Sequence, residues 1–148
     1  MHTPWARSFV NALEAMGPPY GVVGPESLNN KILVHDFTHR LHMDIFEQQY
    51  YPASLTDWYV DDWISRVYGN SRTIRAQNCK VEHHTGAHGQ RYEADTSKSV
   101  TLNGLIELGA RKISAWADAH EEGAAAREIL SDTHDGKSAK KAYARDIP

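Results

Sequence analysis

The sequence predicts an α/β layer fold, an incomplete sheet with flanking helices. Three observations carry this. Short apolar runs near Val22, Leu33 and Val81 read as strands of a partly buried sheet. Stretches of helical periodicity alternate with them, as layered α/β folds require. The clearest helix, 97–119, carries a broad apolar stripe of Leu102, Leu105, Ile106, Leu108, Ile113 and Trp116.

The elements follow in order. Residues 4–16 read as a helix, because Pro4 suits a first turn and Phe9, Val10, Leu13 and Met16 recur at helical spacing. Gly17-Pro18-Pro19 stops it. Residues 20–25 read as a short strand ending in a turn, and 27–30 as a polar loop. Residues 31–36 read as a second strand, since Ile32-Leu33-Val34 is a compact apolar run. Residues 38–46 look helical, with Leu41, Ile45 and Phe46 on one side. Residues 48–58 form an aromatic loop, and 60–68 a helix closed by Gly69-Asn70. Two strands are expected at 73–76 and 79–83, then a loop rich in glycine and histidine over 85–95. Beyond His120 the stripe fades: 124–130 extends as helix, and 135–148 is polar and mobile. The chain therefore divides into a domain over 1–120 and a polar helical or disordered tail over 121–148. An exposed sheet edge, and self-association through it, are expected.

Composition narrows the function classes. A formal net charge of -3 gives no bulk attraction to nucleic acid or acidic lipid, so no nucleic-acid partner is expected. The single cysteine, Cys79, excludes an internal disulfide framework and a multi-cysteine zinc site. There is no run of about 18 apolar residues that would span a membrane. The N-terminus lacks a charged region followed by an apolar one, so no secretory signal is read and cytoplasmic residence is expected.

The segment 50–69 carries the most chemistry. It sets Asp61 and Asp62 among Trp58, Trp63, Tyr50, Tyr51, Tyr59 and Tyr68. Aromatic walls beside paired acids suit a sugar: its CH faces stack on rings and its hydroxyls bond to carboxylates. Adjacent acids point to different sides of a helix, so one can act as a base while the other holds substrate. The alternative is plainer. Acids in a first helical turn favour the macrodipole and need no ligand.

Nine histidines give a second signal. His35, His39 and His42 stand at spacings that a three-histidine zinc site could use, or they border a polar cleft. His83, His84 and His88 lie at a strand end and in a glycine-bracketed loop. Such a place suits a metal or a phosphate, or simply hydrogen-bonded loop histidines.

Taken in order, several segments carry a resemblance. They are Gly21-Val22-Val23-Gly24-Pro25; His35-Asp36-Phe37-Thr38-His39-Arg40-Leu41-His42; Tyr51-Pro52; Trp58; Asp61-Asp62-Trp63-Ile64; His83-His84; and His88-Gly89-Gln90-Arg91-Tyr92-Glu93. The set resembles the C-terminal, acceptor-side half of a GT-A-fold glycosyltransferase of the kind found in large viruses and protists. The resemblance implies a partial GT-A, Rossmann-like fold and a nucleotide-sugar-dependent, metal-dependent, inverting sugar transferase. It implies that Asp62, with Asp61, supplies the acceptor-side base and that His83 or His84 completes the shell of a divalent Mn or Mg ion. It implies substrate contacts from Trp58, Tyr59, Trp63, His39, Arg40 and Arg91. The partners would be a nucleotide-sugar donor and a glycan acceptor.

Two departures from the family pattern matter. No DxD segment precedes the first helix, so the expectation is either a gene fragment or one chain of a split enzyme whose second chain supplies that half. Glu47 stands where a substrate loop would carry glycine. A non-catalytic remnant binding a glycan or a protein partner is the alternative, and a small histidine-based metal-binding protein the third reading.

Overall fold

The computed structural model describes residues 5–56, 58–82, 84, 96–120 and 145–147. It is a mixed α/β structure built on a four-stranded sheet. Helix α1 spans Trp5–Met16, strand β1 Val22–Ser27, β2 Phe37–Thr38 and helix α2 Leu41–Ile45. Helix α3 spans Val60–Val67, β3 Thr73–Val81, α4 Ser99–Ala119 and β4 Arg145–Ile147. The sheet order is β2-β1-β3-β4. β3 runs parallel to both β1 and β4, and β2 runs antiparallel to β1.

Alternation along β1 divides the core. Val22 joins a cluster with Leu33, Phe46, Trp63, Val67 and Ile113, from the side that α3 and α4 cover. Val23, one residue on, joins Phe9, Leu13, Ile74 and Ala76, against α1. Successive strand residues face opposite ways, so one sheet serves two helical layers.

Helix α1 ends as its sequence requires. Gly17 enters the left-handed region at φ 62, and its N–H donates to the Glu14 carbonyl at 3.1 Å. The buried Arg72 then reaches across from the start of β3. Its Nη1 donates to the carbonyls of Met16, Gly17 and Tyr20 at 3.2, 2.8 and 3.0 Å. A cation at a helix C-terminus both satisfies the orphan carbonyls and complements the dipole.

Five expectations are corrected. Residues 31–36 form no strand. The Leu33 N–H donates to the buried Ser65 Oγ at 2.8 Å, so this segment is fastened to α3 instead of entering a ladder. The helix expected over 38–46 contracts to α2, because Thr38 is taken up by β2. The two strands expected at 73–76 and 79–83 are one, β3. Its register against β1 jumps from Pro25↔Ala76 to Glu26↔Lys80, so 77–79 bulge where Pro25 offers no N–H. The polar end of the chain is not wholly irregular, since Arg145–Ile147 pairs with Ile74–Ala76. The stripe on α4 is also narrower than read: Leu108 is 48% exposed. The expected helix at 124–130 and loop at 85–95 lie outside the described residues. Among the described residues no helix is long and apolar enough to cross a membrane.

Candidate functional site

The segment between β1 and α3 gathers its polar side chains into one connected cluster. The Asp36 carboxylate accepts hydrogen bonds from the Tyr50 and Tyr51 hydroxyls, the latter at 2.7 Å. The Thr38 hydroxyl donates to the Tyr50 hydroxyl oxygen at 3.3 Å. Behind this pair lies His42, which is buried. Its Nε2 is 2.8 Å from the Tyr50 carbonyl and its Nδ1 is 2.8 Å from the Tyr68 hydroxyl. A carbonyl only accepts, so Nε2 carries the hydrogen; in the neutral imidazole Nδ1 then accepts from Tyr68. Burial lowers its pKa, and the Tyr50 carbonyl and Asp36 only partly oppose this.

The tyrosines are held in the opposite sense. Burial, then hydrogen bonding to Asp36 and its charge, push the Tyr50 and Tyr51 hydroxyls above their ordinary value. Asp61 adds a smaller upward push on Tyr51, which places its charge within electrostatic reach of that hydroxyl. Burial alone dominates at Tyr68. Asp36→Asn is expected to shift the ionisation of Tyr50 and Tyr51 to lower pH. Tyrosine pKa values raised by folding add stability below the unfolded value near 10, lost as pH rises through the folded values. Ultraviolet titration of the variant and the parent checks this, and superimposable tyrosine curves would count against it.

Beside the cluster opens a cleft of about 210 Å³ between the 46–54 loop and α4. Tyr51, Pro52, Trp63 and Leu108 give it apolar surface, while Gln49, Ser54 and Lys112 give it polar groups. Its floor depends on Gly109. A Cβ there would stand 2.5 Å from Val67 Cγ2 and 3.2 Å from the Trp63 ring, so α3 and α4 approach closely at this point. Two lysines of the α4 region tie the loop down. Lys112 Nζ lies 3.1 Å from Glu47 Oε1, and Lys98 Nζ donates to the Ser54 carbonyl at 2.8 Å.

Of the candidate site residues singled out from sequence, Trp63 alone among the described ones lines the cleft. Asp61 and Asp62 occupy the first turn of α3 and are half-buried. Burial raises the Asp62 pKa, and the Arg66 charge one turn on opposes it. Trp63 is 1% exposed, with its indole N–H donating to the Leu105 carbonyl at 3.2 Å. It is a core residue that only reaches the cleft floor, not a free stacking wall. Trp58 and Tyr59 are half-buried outside the cleft lining. His39 packs against the Tyr20 ring at 4.0 Å, and its Nδ1 accepts from the Leu41 N–H. Arg40 is exposed at the start of α2. His84 is exposed, 3.6 Å from the Glu82 carboxylate. His83 and Arg91 lie outside the described residues, as does His88. Neither the three-histidine grouping at 35, 39 and 42 nor any other group of three His, Cys, Asp or Glu suited to a metal occurs among the described residues.

Asp36, Tyr50, Tyr51, His42 and Tyr68 were the constellation to find. The signal was the Tyr50-Tyr51 pair in a loop that returns past Asp36, which sequence spacing alone does not join. No protein-family model, curated protein or solved structure matches this chain.

Proposed function

We propose that this domain is the acceptor-side half of a GT-A-type glycosyltransferase, nucleotide-sugar-dependent and inverting. Asp62 acts as the acceptor-side base and the cleft beside Tyr51 holds the glycan acceptor. The observation that carries the reading is the position of Tyr51. Its ring lines the cleft, its hydroxyl is bonded to Asp36, and it feels the charge of Asp61. A sugar against that ring would sit beside the acidic first turn of α3. A raised Asp62 pKa suits a base that must take a hydroxyl proton near neutral pH. The donor diphosphate and its Mn or Mg ion are assigned to a complementing polypeptide with a DxD segment, as the family resemblance implies.

Sugar transfer from a nucleoside-diphosphate sugar, measured with this chain plus a GT-A nucleotide-binding half, tests the proposal. Asp62→Asn is expected to lower transfer about 100-fold or more, the scale of a lost general base. It should leave acceptor binding in the cleft unchanged. Transfer that survives the substitution overturns the base assignment. Acceptor binding with no transfer under any complementation leaves a glycan-binding domain in its place.

A further inference from the structure

We propose that the cleft is selective for a carboxylate-bearing sugar ring, a hexuronate, with Lys112 as its counter-charge and Glu47 as the internal carboxylate it displaces. The inference deepens the glycan-acceptor reading of the cleft and rests on it.

The two lysines that tie down the loop differ in what they hold. Lys98 Nζ is spent on neutral oxygens, the Ser54 carbonyl at 2.8 Å and the Thr56 hydroxyl at 3.4 Å. These contacts fix one end of the loop. Lys112, which lines the cleft, is neutralised by a carboxylate instead, that of Glu47. The Glu47 side chain is 78% exposed and that of Lys112 is 37% exposed. An ion pair so open to water is weak and exchanges readily. A ligand carboxylate arriving in the cleft meets the same ammonium with less exposure, and so with less screening.

Glu47 is also an unexpected residue for its backbone. It sits at φ 56 and Gln48 follows at φ 65, two successive non-glycine residues in the left-handed region. The turn is set by backbone bonds, from the Gln48 N–H to the Met43 carbonyl at 2.7 Å and the Gln49 N–H to the Phe46 carbonyl at 3.0 Å. Glycine would meet this geometry without strain. A glutamate placed here instead positions a carboxylate at the cleft mouth, against the cation that lines it. Strained backbone of this kind concentrates where a side chain is needed for function.

The shape of the cleft selects the rest of the ligand. At about 210 Å³ it holds a single ring, not an extended chain. Tyr51, Pro52 and Leu108 offer apolar surface to the CH face of a pyranose, while Gln49 and Ser54 offer hydrogen bonds to hydroxyls. Lys112, on the α4 side, then meets a carboxylate carried on the ring.

Amide and indole NMR shifts of the full chain, titrated with D-glucuronate, D-glucose and acetate, test this. Glucuronate is expected to shift the 46–54 amides and the Trp63 indole, and to bind about three- to fivefold more tightly than glucose, as one added weak ion pair allows. Acetate alone should bind more weakly than either. Lys112→Gln should reduce glucuronate to the affinity of glucose. Glu47→Gln, which removes the competing carboxylate, should tighten glucuronate about threefold and leave glucose unchanged. Equal binding of glucose and glucuronate in the cleft overturns the uronate proposal and leaves the glycan reading standing. Shifts from none of the three at the cleft overturn both. A glucuronate preference that survives Lys112→Gln overturns the role of Lys112.

Discussion

His42→Ala is expected to cost the fold about 3–5 kcal/mol, measured by urea denaturation at pH 7.5. Two effects add. The imidazole fills space among Phe46, Tyr50 and Tyr68, with ring centroids 4.6, 4.9 and 5.8 Å away, and truncation leaves a cavity there. It also leaves the Tyr68 hydroxyl without an acceptor in a residue that is 0% exposed, and the Tyr50 carbonyl without a donor. A buried polar group deprived of its partner loses its full desolvation cost. His42→Gln retains an amide donor and a carbonyl acceptor, and should recover part of the loss.

The same residue gives stability a pH dependence whose sign can be worked out. Burial depresses the folded pKa of His42 below its ordinary 6.5. Above that value both folded and unfolded chains hold the neutral imidazole. Below it the unfolded chain takes up a proton that the folded chain refuses, so stability falls as pH drops toward the folded pKa. Asp62 acts oppositely and lower on the scale. Its pKa is raised above 3.8 by burial, so its contribution is full at low pH and lost as pH rises through the folded value. As pH falls below 6.5 the parent should lose stability through His42, and His42→Gln should lose less. Equal slopes would mean that the buried imidazole does not set the dependence.

His42 also shows where sequence reasoning stops. Its position near a helix was legible from the periodicity of Leu41, Ile45 and Phe46. Its role was not, because both of its partners come from elsewhere in the chain, Tyr50 from the loop and Tyr68 from the end of α3. Elements with their own local signal were read well. Helices α1, α3 and α4 carry caps or stripes in their own residues, and they lie within a residue or two of expectation. The segment around Leu33 departs from the expected strand for a physical reason. A compact apolar run says only that it is buried, and here burial comes from docking on Ser65 of α3, a contact 32 residues away.

The candidate site follows the same rule. Adjacent Asp61 and Asp62 stand out in the sequence, yet the carboxylate that organises the tyrosines is Asp36, which has no acidic neighbour. Trp63 reads as a sugar platform, but one face of α3 must supply the core and Trp63 lies on it. Glu47 is the exception in which sequence gave a usable warning. Its replacement of an expected glycine coincides with a backbone in the left-handed region.

Gly24→Ala is expected to destabilise the fold by about 3 kcal/mol, although the same substitution at Gly104 should stabilise it. A Cβ on Gly24 would run into the His35 carbonyl oxygen and stand 2.9 Å from Leu33 Cδ2. The first obstacle is backbone and has no rotamer by which to yield. The chain on its two sides is held as well, by Leu33 on Ser65 and by Asp36 on Tyr50 and Tyr51. Overpacking against such a segment sits at the upper end of the usual 1–3 kcal/mol range. At Gly104, inside α4, a Cβ meets nothing within 4 Å. Alanine there only restricts the unfolded chain and raises helix propensity, a gain of about 1 kcal/mol. Urea denaturation of the two variants separates the contributions of space and propensity. A shift of the 33–36 segment in Gly24→Ala should also loosen Asp36 from its tyrosines, so that they ionise at lower pH in the folded protein. A loss of stability with the tyrosine titration unchanged would show that β1 packing and the Asp36 cluster are independent. The two are expected to move together, because the only chain between Gly24's obstacle at His35 and the carboxylate at Asp36 is a single peptide bond.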